Sequence, residues 1–209
     1  MHIYAFGSVC RGDISVESDI DLLALVKGRD ERLDPDKFSI YSYDRISELW
    51  GEGNAFAWHL ALESKIIFSE DGSDFIRQLG MPSTYGSAGK DCKRFQEIFD
   101  SAFSSIKEGT PSVVFELSTI FLAIRNMATC YSLVKKPVPT FGRDSAKRLG
   151  DKSIPLSESS YSILMRARIL STRGLGDDIA DIDMSKLMDE LIVCRHWMNG
   201  LYQEVGNNG

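Results

Sequence analysis

The chain has 209 residues, 43% hydrophobic and 26% charged, with a formal charge of −6; this is a globular profile with room for one or two cores, and it excludes a disordered, collagen-like or coiled-coil protein. The charge is unevenly shared, with 8 Lys and Arg against 15 Asp and Glu in residues 1–85 and 16 against 15 in residues 86–209. An acidic front half repels a polyphosphate backbone, so a long nucleic acid is a poor partner and metal ions or cationic small molecules suit it better.

Met1 to Gly12 has no basic stretch followed by an apolar run and a cleavage site, so the cytoplasm is the expected compartment. Four cysteines, Cys10, Cys92, Cys130 and Cys194, lie far apart with no zinc-ligand spacing, and read as reduced, small apolar residues. HIYAF, DLLALV, KFSIYSY and KIIF read as strands, and Arg45 to Trp50 and Ala55 to Ser64 as helices. Near residue 85 the apolar period changes to helical spacing, which places a domain boundary in MPSTYGSAGK and predicts domains 1–85 and 86–209.

In the second domain Phe95, Ile98, Phe99, Ala102, Phe103 and Ile106 form one helix face, ended by Gly109-Thr110-Pro111. VVFELSTIFLAIRNMATCYSLV is apolar nearly all round, but it carries Glu116, Arg125 and Asn126 and reads as a central bundle helix rather than a membrane span. Two more helices, near Ser157 to Ser171 and Met184 to Gln203, complete a four-helix bundle. The link from Lys135 to Pro155 holds six basic residues, which fit a solvated surface or a nearby anion. The expected fold class is α+β: a small mixed β-sheet domain followed by an all-α four-helix bundle.

The chemistry concentrates in FGSVCRGDISVESDIDLLALV, Phe6 to Val26. Strand HIYAF runs into Gly7-Ser8, where a glycine admits a close ligand and a serine can donate to a phosphate oxygen. Ten residues separate Ser8 from Asp19, and Asp19-Ile20-Asp21 opens the next strand; the two carboxylates, two apart, share a face, and Ile20 and Leu22 are expected to face the core. Paired carboxylates repel without a cation, so magnesium is the natural partner, bridging a nucleotide's phosphates in two-metal phosphoryl transfer. Arg11-Gly12-Asp13 reads as a turn whose Arg11 assists a phosphate. TYGSAGKD lacks P-loop spacing and reads as a linker, and His59 and His196 read as packing or surface residues.

Gly-Ser, ten residues, then Asp-Ile-Asp-Leu resembles the signature of the nucleotidyltransferase superfamily that includes DNA polymerase β. RGDISVES, SYDRISEL and HLALESKIIFSEDG are similar to the rest of its minimal domain, over about residues 1–75. The resemblance implies that Gly7 and Ser8, with Arg11 and Ser18, bind the nucleotide, and that Asp19 and Asp21 hold two magnesium ions and carry the catalysis. The helical second domain resembles the bundles of kanamycin nucleotidyltransferase and of HEPN-type proteins, which implies a possible homodimer. No His follows Arg125 at the HEPN ribonuclease spacing, which disfavours that activity.

The family's third carboxylate is missing from KFSIYSYD. Ser39 takes the most similar position, Asp36 and Asp44 have the opposite parity and should point away, and Asp44 reads as the cap of the helix that begins at Arg45. The kanamycin-type arrangement implies a base from the helical domain: Asp100 is the candidate, with Glu97 and Glu116 as rivals. The function expected from the resemblance is magnesium-dependent transfer of a nucleoside monophosphate from a nucleoside triphosphate to a hydroxyl of a small molecule, such as an aminoglycoside-like antibiotic, or of a protein. The alternative is a catalytically degenerate nucleotide-binding or antitoxin-like module, with Ser39 as the observation behind it.

Overall fold

In a computed structural model, the apolar run of HIYAF forms strand β1 (His2–Phe6), one of the two central strands of the first half of the chain. The structure describes residues 1–13, 20–174, 179 and 182–206. Within that set, β1 leads into a single helical turn, α1 (Ser8–Arg11), and pairs antiparallel with β2 (Asp21–Val26). Strand β3 (Phe38–Ser42) lies parallel to β2, and helices α2 (Tyr43–Gly51) and α3 (Ala55–Glu63) follow. Strand β4 (Ser64–Ser69) returns antiparallel to β1, and the short helix α4 (Phe75–Leu79) comes after it. The sheet order is β3-β2-β1-β4.

One sheet face holds the main core: Tyr4, Phe6, Leu23 and Leu25 pack against Ile46, Leu49 and Trp50 of α2, Ala57 and Leu60 of α3, and Ile76 of α4. Ala24 and Val26 fill a smaller cluster on the other face with Leu33, Met1 and Phe38. β2 is thus buried on both faces, which is why DLLALV is a continuous apolar run. The expectation that Ile20 and Leu22 face the core is corrected here. Ile20 is 62% exposed, and the main core takes the opposite parity, Leu23 and Leu25, which Asp21 shares.

Caps set the helix starts. Ser42 caps α2, its hydroxyl accepting from Arg45 N at 3.1 Å, whereas Asp44, the expected cap, sits inside the first turn. Helix α2 therefore starts two residues before Arg45. Asp74 caps α4 and also accepts from the Tyr4 hydroxyl at 3.1 Å; that oxygen accepts from Ile76 N. The chain then closes over α2 and α3: the Trp50 indole donates to Gly80 O and the Trp58 indole to Ser83 O, each at 3.0 Å.

The chain divides into two compact units, Met1–Gly86 and Ser87–Gly209. The second contains α5 (Ala88–Lys107), α6 (Val113–Lys135), α7 (Glu158–Arg173) and α8 (Met184–Gly206). Helix α6 packs against the other three, so Leu117, Ile120, Phe121, Ile124 and Met127 are buried around much of its circumference. Its apolar length is that of a membrane span, and its contacts are those of a bundle centre. The basic link between α6 and α7 is engaged in ion pairs: Lys136 with Asp151, Lys147 with Glu158, Arg148 with Asp144 and Lys152 with Glu204. The fold class is α+β, a small mixed sheet with its helices followed by a helical bundle.

Candidate active site

Gly7 follows β1 with φ 75° and ψ −140°, a backbone conformation that side chains strongly disfavour. Its carbonyl accepts from Cys10 N (3.1 Å) and Arg11 N (3.3 Å), closing the turn of α1, and Asp13 N returns to Ser8 O at 3.0 Å. Ser8, half-buried, is the first residue of that turn, whose leading amides have no intrahelical acceptor. Phe6 and Asp21 are register partners across β1 and β2, which sets Asp21 beside the turn. A Cβ built at position 7 would stand 2.7 Å from Asp21 Oδ2, so the carboxylate occupies space that only a glycine leaves open.

The expected first carboxylate, Asp19, and the expected nucleotide-binding Ser18 lie outside the described residues. Asp21 itself is exposed at the start of β2. Ser39 pairs with Leu23 in the β2–β3 register and therefore shares the Asp21 face of the sheet. Its hydroxyl, not a carboxylate, stands at the expected third position. A cavity of about 600 Å³ is lined by Ile20, Asp21, Leu22, Asp36, Lys37 and Ser39, among others. Asp36 borders this cavity from the turn before β3, with its amide bound to Asp34 Oδ1 at 3.0 Å. Asp21 offers the hard oxygen donor that magnesium prefers. Among the described residues, no group of three or more His, Cys, Asp or Glu side chains is placed to hold a metal ion.

Arg11, at the end of α1, is held by carboxylates. Its Nε lies 2.9 Å from Asp13 Oδ2, and its Nη1 pairs with Glu63 Oε2. Burial alone would lower the guanidinium pKa, but Asp13 and Glu63 outweigh it and raise the value. Glu63 also accepts from His59 Nε2 at 3.0 Å. Glu63 and His59 were missed as partners of the site: the four-residue spacing in HLALE puts them on one face of α3, but 52 residues separate Glu63 from Arg11. Cys10 is half-buried, its thiol donating to Ala5 O at 3.3 Å and its pKa raised by burial.

In the second unit Asp100, on α5, forms an ion pair with Arg195 of α8, Oδ1 to Nε 2.7 Å, without hydrogen-bond alignment. Its rival Glu97 lies 4.0 Å from Lys93 of the same helix, and Glu116 lies in the first turn of α6.

A glycine turn after the first strand, an acid opening the second and a mixed four-stranded sheet backed by helices define a small α+β domain. The family model described as a nucleotidyltransferase domain matches residues 2–79. The match makes the first unit a nucleotidyltransferase domain, in line with the polymerase-β-type superfamily, and supports nucleotidyl transfer as its general chemistry. No curated protein matches the chain.

Proposed function

We infer that the protein is a magnesium-dependent nucleotidyltransferase that moves a nucleoside monophosphate from a nucleoside triphosphate to a hydroxyl of a small molecule or a protein. The observation that carries this reading is the placement of the Asp21 carboxylate against Gly7, within a domain of that family. Gly7 and Ser8 would bind phosphate oxygens through backbone amides and the Ser8 hydroxyl, with Arg11 and Ser18 adding donors. Asp19 and Asp21 would hold the metal; when bound, magnesium supplies charge neutralisation on the triphosphate and on the departing pyrophosphate. Asp100, ion-paired with Arg195 through Oδ1, is assigned as the base that takes the acceptor's proton. An aminoglycoside-like polycation is the leading acceptor, since residues 1–85 hold 15 acids against 8 bases.

A second reading is a nucleotide-binding or antitoxin-like module that has lost catalysis, favoured by the Ser39 hydroxyl on the Asp21 face. Titration of the four nucleoside triphosphates with magnesium separates the two when followed by thermal shift and pyrophosphate release in the parent, Asp19→Asn and Asp21→Asn. Magnesium-dependent stabilisation and pyrophosphate release, both lost in the variants, are expected. Stabilisation without pyrophosphate release under any acceptor favours the second reading, and parent-like release by both variants refutes the metal assignment.

A further inference from the structure

We propose that Glu63 is a positioning residue for nucleotide binding that acts through Arg11; this rests on the reading of the Gly7–Ser8 turn as the phosphate site. Glu63 ends α3, and its side chain is only 13% exposed. One oxygen, Oε2, takes both Arg11 Nη1 and His59 Nε2. A carboxylate buried to this degree is costly without such donors, and because it only accepts, His59 donates through Nε2. The His59 ring also stands edge-on to Phe6, centroids 5.6 Å apart at 81°. Phe6 precedes Gly7 and is the register partner of Asp21 on one side and of Ser64 on the other. Glu63 thus joins α3, the end of β1 and the turn α1 into one fixed group.

The consequence falls on Arg11. A guanidinium carries five N–H donors in one rigid plane. With Nε on Asp13 and Nη1 on Glu63, two anchors fix that plane, and so fix where the other donors lie relative to Ser8. Of the two anchors Glu63 is the firmer, since the Asp13 side chain is 45% exposed and only two residues away in the chain. Without Glu63 the guanidinium is held from one side only and swings with Asp13. Loss of the anchor therefore weakens the grip on the triphosphate.

The test is calorimetric titration of the full chain with each magnesium nucleoside triphosphate, in the parent, Glu63→Gln, Arg11→Gln and the double variant, with the nucleotide-free melting temperature of each. Glu63→Gln is expected to raise Kd about tenfold in the parent background and to leave it unchanged within about twofold in the Arg11→Gln background. Equal rises in both backgrounds, or a fall in melting temperature with Kd unchanged, overturn the proposal. Should Glu63→Gln fail to fold, Glu63→Asp keeps the charge and shortens the reach; its smaller rise in Kd must likewise vanish when Arg11 is replaced, or the proposal falls. Parent protein that binds no nucleotide refutes the reading of the turn and the proposal together. Parent protein that binds while Glu63→Gln binds equally well refutes the proposal alone.

Discussion

Gly7→Ala is the sharpest perturbation the site allows, because two separate effects meet at that residue. With φ 75° and ψ −140°, the backbone lies where a side chain adds about 1–3 kcal/mol of strain. In a unit of this size that lowers the melting midpoint by roughly 4–8 °C per kcal/mol. The new Cβ would also stand 2.7 Å from Asp21 Oδ2, so the carboxylate must move away from the turn. Gly12→Ala provides the control, since Gly12 has φ 80° but nothing within 4 Å of its Cβ position. Both variants are expected to lose stability in urea unfolding, Gly7→Ala the more, since Gly12 at ψ 9° lies in the left-handed region and Gly7 at ψ −140° lies outside it. Only Gly7→Ala is expected to lose pyrophosphate release, on the order of a hundredfold or more, because a displacement of about an ångström in a reacting group costs that much. Release by Gly7→Ala within a few-fold of Gly12→Ala would show that the Asp21 position does not matter to the reaction, and the argument from the turn would fail.

Asp100→Asn should slow turnover about 10²–10⁴-fold with nucleotide still bound, whereas Arg195→Gln should not; both lose less than about 1 kcal/mol of stability, because their side chains are 33% and 51% exposed. Equal, small kinetic effects in steady-state assays would reduce Asp100 to a helix-pairing residue. Tyr131, buried and donating to Glu204 Oε2 at 2.7 Å, has its pKa pushed up to about 12, first by burial and then by that carboxylate. Its neutral form is favoured in the folded state, so this contribution is whole below the unfolded tyrosine value of about 10 and is lost as pH rises through about 12. Circular dichroism should therefore show a shallower loss of stability over pH 10–12 in Tyr131→Phe than in the parent; identical slopes would refute it.

Period and composition made the strands and long helices legible, because β1 and the helices α5 to α8 each bury side chains at the spacing that their sequence displays. The direction of β2 was not legible. Apolar residues fill both of its faces, so alternation gives no sign of which parity meets the helices, and Ile20 and Leu22 were assigned to the wrong one. At the start of α2 two oxygen-bearing residues compete for the cap, and the geometry of the strand end, not the residue type, selects Ser42 over Asp44. The five-residue α4 is too short to show a period. Local spacing suffices to mark Gly7 and Asp21, but the ties among Arg11, His59 and Glu63 depend on β4 and α3 returning beside β1, a non-local event that leaves no trace in the neighbouring residues.

The closing segment after α4 bears on where a working fragment of the first unit has to end. The family match stops at residue 79, yet the carbonyl acceptors of Trp50 and Trp58 come from Gly80 and Ser83, and Ser83 N donates back to Trp50 O at 2.9 Å. Gly53, at φ 62°, is the one residue type that lets this segment lie so close, since a Cβ there would meet the carbonyls of Ser83 and Thr84. A fragment trimmed to the homologous boundary would strip two indoles of their acceptors and remove Tyr85, which is 6% exposed in the full chain. Cutting after Gly86 keeps that seal, so domain-exchange or crystallisation work on this unit should carry the seven extra residues.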